Sequence, residues 1–306
     1  MPAFILRRLI SLIFVLFCVV SITFILIRLT PGGPFDTERK IPPQILHELL
    51  AKYNLDGTLW QQYSSYITDV LRGDLRPSLR YRNRSVNEIL AQSLPVSFTL
   101  GAIAFLIATA GGIWVGAFAA VRHGRPADTL AMLGALLAIS IPTFVIGPLL
   151  ILIFALYLNW LPVGGWGGIQ CLILPAITLA SPYLAYIARL TRTSMLEVLG
   201  QDFIRTARAK GLAPSPIIFK HALKVAILPV VSFLGPLAAN LLTGSVVVES
   251  VFNIPGAGQF FVNSVLNNDC FLLGGVVIVY CALLVTLNLV VDLLYMALDR
   301  RIRLYD

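Results

Sequence analysis

Long runs without a charged side chain constrain this chain more than any motif does. Nothing is charged between Arg8 and Arg28, Glu88 and Arg122, Asp128 and Arg189, Lys224 and Glu249, or Asp269 and Asp292. A membrane-spanning helix needs about 20 apolar residues, and a lone charge at mid-bilayer is costly. The second run predicts a helix from about Leu94 to Val121. The third is long enough for two spans and is broken by Leu161-Pro162-Val163-Gly164-Gly165-Trp166-Gly167-Gly168, a series of helix breakers. Six spans are therefore expected, in an all-α membrane protein. Composition agrees, with 58% hydrophobic and 12% charged residues, against about 25% charged in soluble domains.

The net charge of +8 gains meaning from its placement. With the N-terminus inside, the inner segments hold Arg7, Arg8, Arg122, Arg125, Arg189, Arg192, Arg205, Arg208, Lys210, Lys220, Lys224, Arg300, Arg301 and Arg303, whereas loops 159–171 and 250–270 hold no Lys or Arg. That asymmetry predicts an N-in, C-in orientation. The first span reads as an uncleaved signal anchor, because no small-x-small cleavage site precedes Arg28-Leu29-Thr30-Pro31.

Three parts are expected: residues 1–30, the inner N-terminus and first span; 31–93, an extracytoplasmic cap; and 94–306, a five-helix core with an inner loop at 189–224. The cap carries basic residues, but a segment this long translocates regardless of charge. Ile45, Leu46, Leu49, Leu50 and Tyr53 keep one helical face apolar, and Trp60, Tyr63, Ile67, Val70 and Leu71 predict a second amphipathic helix. Such periodicity identifies packing and does not distinguish it from a partner-binding role. No internal repeat or low-complexity tract stands out.

Catalytic constellations are missing from the sequence. It contains no G-x-x-x-x-G-K-[ST] phosphate loop, no G-x-S and no C-x-x-C, and its three histidines, His47, His123 and His221, fall in aqueous segments. Of four cysteines, Cys171 and Cys270 lie near outer loops where a disulfide is permitted, and Cys18 and Cys281 lie within spans. A non-catalytic chain is expected, with no cofactor or metal of its own.

The stretch Gln201-Asp202-Phe203-Ile204-Arg205-Thr206-Ala207-Arg208-Ala209-Lys210-Gly211-Leu212-Ala213-Pro214, continuing through His221 to Pro229, predicts a short helix, a glycine exit, a proline bend and a second helix entering the membrane. It resembles the E-A-A-x-x-x-G loop of ABC importer permeases, with Thr206-Ala207 and Gly211 on the A-A and G and His221-Ala222-Leu223 and Pro229 on the trailing pattern. Arg205 stands where the general motif has Glu, and Lys224 where many members have Pro. The form R-T-A-R-A-K-G is similar to the oligopeptide and dipeptide branch, and the likeness is closest to its first permease subunit. Arg28-Leu29-Thr30-Pro31-Gly32-Gly33-Pro34-Phe35, Gly244-Ser245-Val246-Val247-Val248-Glu249 with Phe252, Pro255, Gly256 and Gly258, and Asp292-x-x-Tyr295-x-x-x-Asp299 also resemble that branch, although Arg300 replaces its usual Pro.

The resemblance implies the type I ABC importer permease fold and a multi-pass place in the bacterial inner membrane. It further implies a second homologous permease, two cytoplasmic ATP-binding subunits that hold ATP and Mg, and an extracytoplasmic peptide-binding protein. The residues it marks for ATPase coupling are Phe203, Arg205, Thr206, Ala207, Arg208, Lys210, Gly211 and His221. The substrate ranges over oligopeptides, dipeptides, nickel and antimicrobial peptides within the class.

Other polar residues keep two readings. Asn240, Thr243 and Asn288 either touch a peptide or join helices. Glu249, at the expected outer end of span five, either lines the peptide path or pairs with a donor among Arg72 to Arg84. Asp292 suits an inner-leaflet salt bridge better than a proton relay. Pro142 and Pro148 with Gly147 mark a bend, gating or purely structural. A self-contained secondary transporter or channel is the competing class; it needs a midplane charge relay or repeat-related broken helices, and neither pattern appears.

Overall fold

The computed structural model describes residues 2–29, 56–81 and 83–298, with backbone alone for 2–5, 29 and 292–298. All of the regular elements there are helical: α1 (Pro2–Leu29), α2 (Leu59–Leu71), α3 (Val86–Val121), α4 (Pro126–Ser140), α5 (Thr143–Leu150, continuing as a wider π turn to Tyr157), α6 (Ile169–Leu199), α7 (Asp202–Ala209), α8 (Pro214–Ala226), α9 (Leu228–Leu242), α10 (Val246–Val251), α11 (Ala257–Leu266) and α12 (Cys270–Leu298). Four helices are long and apolar enough to cross a membrane: Leu6–Arg28, Val86–Val121, Ile169–Leu199 and Cys270–Val291. The number rises to six if each of two bent pairs is one span: α4 with α5, bent by 110°, and α8 with α9, bent by 54°. The cap helix expected over Ile45 to Tyr53 and the side chains of Asp292, Asp299 and Arg300 lie outside the described residues.

Local chemistry moves several boundaries from those expected. α3 starts at Val86 rather than near Leu94, because Ser85 and Glu88 form a reciprocal cap: the Glu88 N–H donates to Ser85 Oγ and the Ser85 N–H to Glu88 Oε2, both at 3.1 Å. Thr58 and Gln61 cap α2 in the same way. Between α4 and α5, Pro142 lacks an N–H and holds Ile141 extended (φ −88°, ψ 123°), so the pair is jointed there. α9 ends at Leu242, short of Glu249, where the fifth span was expected to end. Gly244 leaves the helix at φ +93°, and Ser245 caps α10 by accepting from the Val248 N–H at 3.3 Å.

The chain packs as two compact units, residues 1–97 with 255–289 and residues 98–254 with 290–306. In the first, α2 lies against α1: the Ser21 and Tyr63 hydroxyls are 2.7 Å apart, and the Phe24 and Tyr63 rings meet edge to face at 5.3 Å. The buried residues of α2 are Gln62 and Tyr66, while Trp60 and Leu71 are 74% and 82% exposed. The apolar face read from sequence is therefore right for Tyr63, Ile67 and Val70, which are partly buried, and wrong for Trp60 and Leu71. The helix turns by 100° per residue, and the Tyr66 side places these two at the edge. Arg76, almost fully buried, pairs with Asp69 at 2.9 Å and stands over the Tyr66 and Phe271 rings. Burial pushes the Tyr66 phenol up to about 12, with Arg76 pulling the other way.

Asp269 organises the same unit. It is fully buried and caps α12, accepting from the Leu272 N–H at 3.1 Å; it also accepts from the Ser78 hydroxyl at 2.5 Å and from the Leu79 and Arg80 N–H groups at 3.3 Å. One carboxylate thus closes a helix start and holds the segment before α3.

In the second unit α6 is the hub, with its Leu174–Val198 face buried. Apolar burial does not drive association among helices in lipid, so close fit does. Gly112 of α3 shows that fit, since a Cβ there would lie 2.7 Å from Ile187 Cβ.

Candidate functional site

The segment after α6 is built by capping rules. α6 ends at Leu199, Gly200 and Gln201 form the turn, and α7 occupies eight residues. The exit from α7 is a complete Schellman closure: the Gly211 N–H donates to the Arg208 carbonyl at 3.0 Å and the Leu212 N–H to the Ala207 carbonyl at 3.3 Å. Gly211 sits at φ +75°, the left-handed conformation that such a closure requires. Ala213 then extends, Pro214 opens α8, and a π turn over Ile217–Ala222 precedes the approach to α9.

Burial divides the candidate coupling residues. Ile204 and Ala207 turn inward, into a core with Ala120 of α3, Met195 and Val198 of α6, and Ile217, Ala222 and Ala226 of α8. Phe203, Arg205, Thr206, Arg208, Lys210 and Gly211 are exposed, and exposure continues without interruption from Arg208 to Pro216. The Thr206 hydroxyl donates to the Asp202 carbonyl at 3.0 Å, and the Arg205 guanidinium lies 3.6 Å from Asp202, an exposed pair worth little in stability. His221 is half-buried in the π turn. A small apolar face thus anchors a rigid helix and turn whose other side presents one aromatic ring and three cations to water.

The candidate path residues do not converge. Asn240 is exposed on α9 and donates to the Tyr183 hydroxyl of α6 at 2.9 Å; nearby on the same two helices the Tyr186 and Phe233 rings are 4.5 Å apart. Thr243 is buried, and its hydroxyl donates to the Asn240 carbonyl at 2.9 Å. Glu249 is fully buried in the first turn of α10. There a carboxylate is favoured by the helix dipole, whereas at the C-terminal end of a span, where the sequence placed it, it would be disfavoured. All four cysteines are free thiols, those at 171 and 270 included.

One polar centre was missed in the sequence. Asp128, in the first turn of α4, is 4% exposed and receives Arg192 of α6 in a two-pronged pair, Nε to Oδ1 at 2.6 Å and Nη2 to Oδ2 at 2.8 Å. The Gly124 N–H donates to Oδ2 at 3.1 Å, and His123 Nδ1 lies 3.2 Å from Oδ2 and 3.1 Å from Arg192 Nη2. Charge counting had placed Arg192 among orientation signals and Asp128 at the edge of a run. Arg125-Pro126-Ala127-Asp128, with proline at the first helical position and an acid in the first turn, was the available signal for a helix start.

Residues 112–304 match the family described as binding-protein-dependent transport system inner membrane component, and residues 1–101 match the N-terminal part described for such membrane components. The oligopeptide transport system permease protein OppB of Haemophilus influenzae is 44% identical over 99% of this chain and 100% of its own length; that of Salmonella typhimurium is 46% identical over the same shares. The dipeptide transport system permease protein DppB of Bacillus subtilis is 41% identical over 100% of this chain and 99% of its own. Among solved structures, the MetNI methionine ABC transporter in inward-facing conformations gives a TM-score of 0.58 at 19% identity, over 69% of this chain and 97% of that one, a likeness of fold. By the family match and these full-length relatives, the chain belongs to the inner membrane components of binding-protein-dependent transport systems, the non-catalytic permease subunits of ABC importers.

Proposed function

We propose that this chain is one membrane half of an ATP-driven peptide importer. It crosses the membrane six times with both ends inside, as residues 1–30, an outer segment 31–93 and a core 94–306, and pairs with a second homologous permease. Two cytoplasmic ATPases, which hold ATP and Mg, engage the 201–229 part of the 189–224 loop and its continuation, and an extracytoplasmic binding protein delivers the peptide. ATP binding closes the ATPases, the coupling helix α7 moves with them, and the spans rock toward the outside. The observation that carries this reading is the exposed, Schellman-closed α7 presenting Phe203, Arg205, Thr206, Arg208 and Lys210 over an anchored Ile204 and Ala207. Peptide as cargo is supported by the relatives named for oligopeptide and dipeptide transport.

Within this reading Asn240 faces the peptide path, because an exposed amide on a spanning helix needs a wet or protein neighbour. Burial of Thr243 and Glu249 supports a structural role for both, at the break between α9 and α10. The test is affinity purification of the tagged chain in mild detergent, with mass spectrometry of its companions and an ATPase assay. Recovery of a second permease and two P-loop subunits is expected, with ATP turnover raised by peptide-loaded binding protein. A chain recovered alone that moves solute without ATP would overturn the reading in favour of a secondary transporter.

A further inference from the structure

We infer that the Asp128–Arg192 pair is a clamp that makes α4 follow the coupling helix, and that Asp128 is a positioning residue for transport; the inference rests on the importer reading above. Three separate elements meet at this carboxylate: the Gly124 turn after α3, the first turn of α4, and α6 through Arg192. One turn further along α6, Met195 and Val198 share a core with Ile204 and Ala207 of α7 and with Ala120 near the end of α3. The coupling helix and the clamp are therefore joined through a single stretch of α6, residues 192 to 198.

The two kinds of contact transmit displacement differently. The apolar core of Met195, Val198, Ile204 and Ala207 is packed closely enough to carry a displacement of α7 into the end of α6. A two-pronged guanidinium–carboxylate pair sets both distance and orientation. A shift of α7 carried to the end of α6 is thus handed to the start of α4 with little slack. α4 in turn meets α5 at the 110° joint of Ile141–Pro142, so a push at its first turn arrives at a jointed span. Stability alone does not call for such a pair, because a buried ion pair is commonly no better than apolar residues of the same volume.

The test uses the intact transporter, purified through this chain and reconstituted in proteoliposomes with its binding protein and a peptide. Peptide uptake is divided by ATP hydrolysed, so that the amount of assembled complex cancels. Asp128→Asn and Arg192→Gln are expected to lower uptake per ATP about tenfold, a usual size for a coupling interaction, while ATP hydrolysis continues. The exchange Asp128→Arg with Arg192→Asp is expected to recover a large part of the ratio. An unchanged ratio in the single variants overturns the inference, and so does a reduced yield of complex whose remaining ratio is that of the unaltered chain, since the pair is then structural only. If the single variants do not assemble, Arg192→Lys, which keeps the charge and loses the two-pronged geometry, is held to the same criterion. Failure of the unaltered complex to couple ATP to uptake would instead strike the importer reading itself.

Discussion

Two buried aspartates, one in each compact unit, do opposite work with the same functional group. Asp269 accepts from neutral donors, one hydroxyl and three backbone N–H groups, and ties residues 78–80, 189 to 191 positions away in sequence, to the start of α12. Asp128 takes the cation of Arg192 on another helix, and the Gly124 N–H donates to it. A carboxylate held by short neutral donors is fixed to the backbone of the segments that supply them. One held by a long guanidinium side chain is fixed to another helix, so it reports and resists relative movement. The difference teaches that burial of a charge does not by itself distinguish a folding device from a coupling device; the identity of the partner does.

The largest effect should come from breaking the first of the pair. Asp269→Ala removes the α12 cap and strands Ser78 and its neighbours, at a cost of about 3 kcal/mol from cap loss and unsatisfied buried groups together. Limited trypsin digestion in detergent should then cut after Arg80 or Arg84 faster than in the unaltered chain; an equal rate would remove the staple from the account. Asp128→Asn should leave that cutting rate unchanged, which sharpens the contrast between the units. Gly112→Leu comes next. Its side chain meets Ile187 where even a Cβ is crowded, and overpacking of this kind costs about 2 kcal/mol; a lower melting midpoint of the purified chain checks it, and an unchanged midpoint would mean that α3 and α6 part easily.

Gly211→Leu tests the second unit without touching its core. Nothing lies within 4 Å of the added Cβ, so the only penalty is the left-handed backbone, about 1–2 kcal/mol. Membrane insertion should persist while peptide uptake per ATP falls, and normal uptake would remove Gly211 from the coupling role. The smallest change is expected from Trp60→Ala. With most of its ring exposed, stability in detergent should move by less than about 0.5 kcal/mol, and a larger loss would show that α2 packs by the face first read from sequence.

Much of this was legible in the chain. The charge-free runs located every long helix, because an uncompensated charge in lipid is penalised whatever the tertiary fold. The α7–Gly211–Pro214 pattern announced its own turn, since left-handed backbone and proline are local constraints. Capping signals at Thr58, Ser85 and Asp269 were also present and correct the helix starts, yet the charge map hid them by treating Glu88 and Asp269 as mere borders. Trp60 and Leu71 show the opposite limit: their periodicity fits a buried stripe, but which side of a stripe is covered depends on what packs there.

The sequence by itself determined which stretches are apolar and long enough to cross a membrane, where its helices break, and that residues 201–214 form a helix and turn. Those properties follow from single residues and near neighbours, through solvation, missing N–H groups and glycine's freedom. Only the tertiary structure decided that Ile204 and Ala207 are anchored while Arg205 and Arg208 meet water, and that Asp128 finds Arg192. Each of these pairs groups distant in sequence, and the energy of a buried charge or a close helix contact depends on the partner's position, which no local pattern encodes.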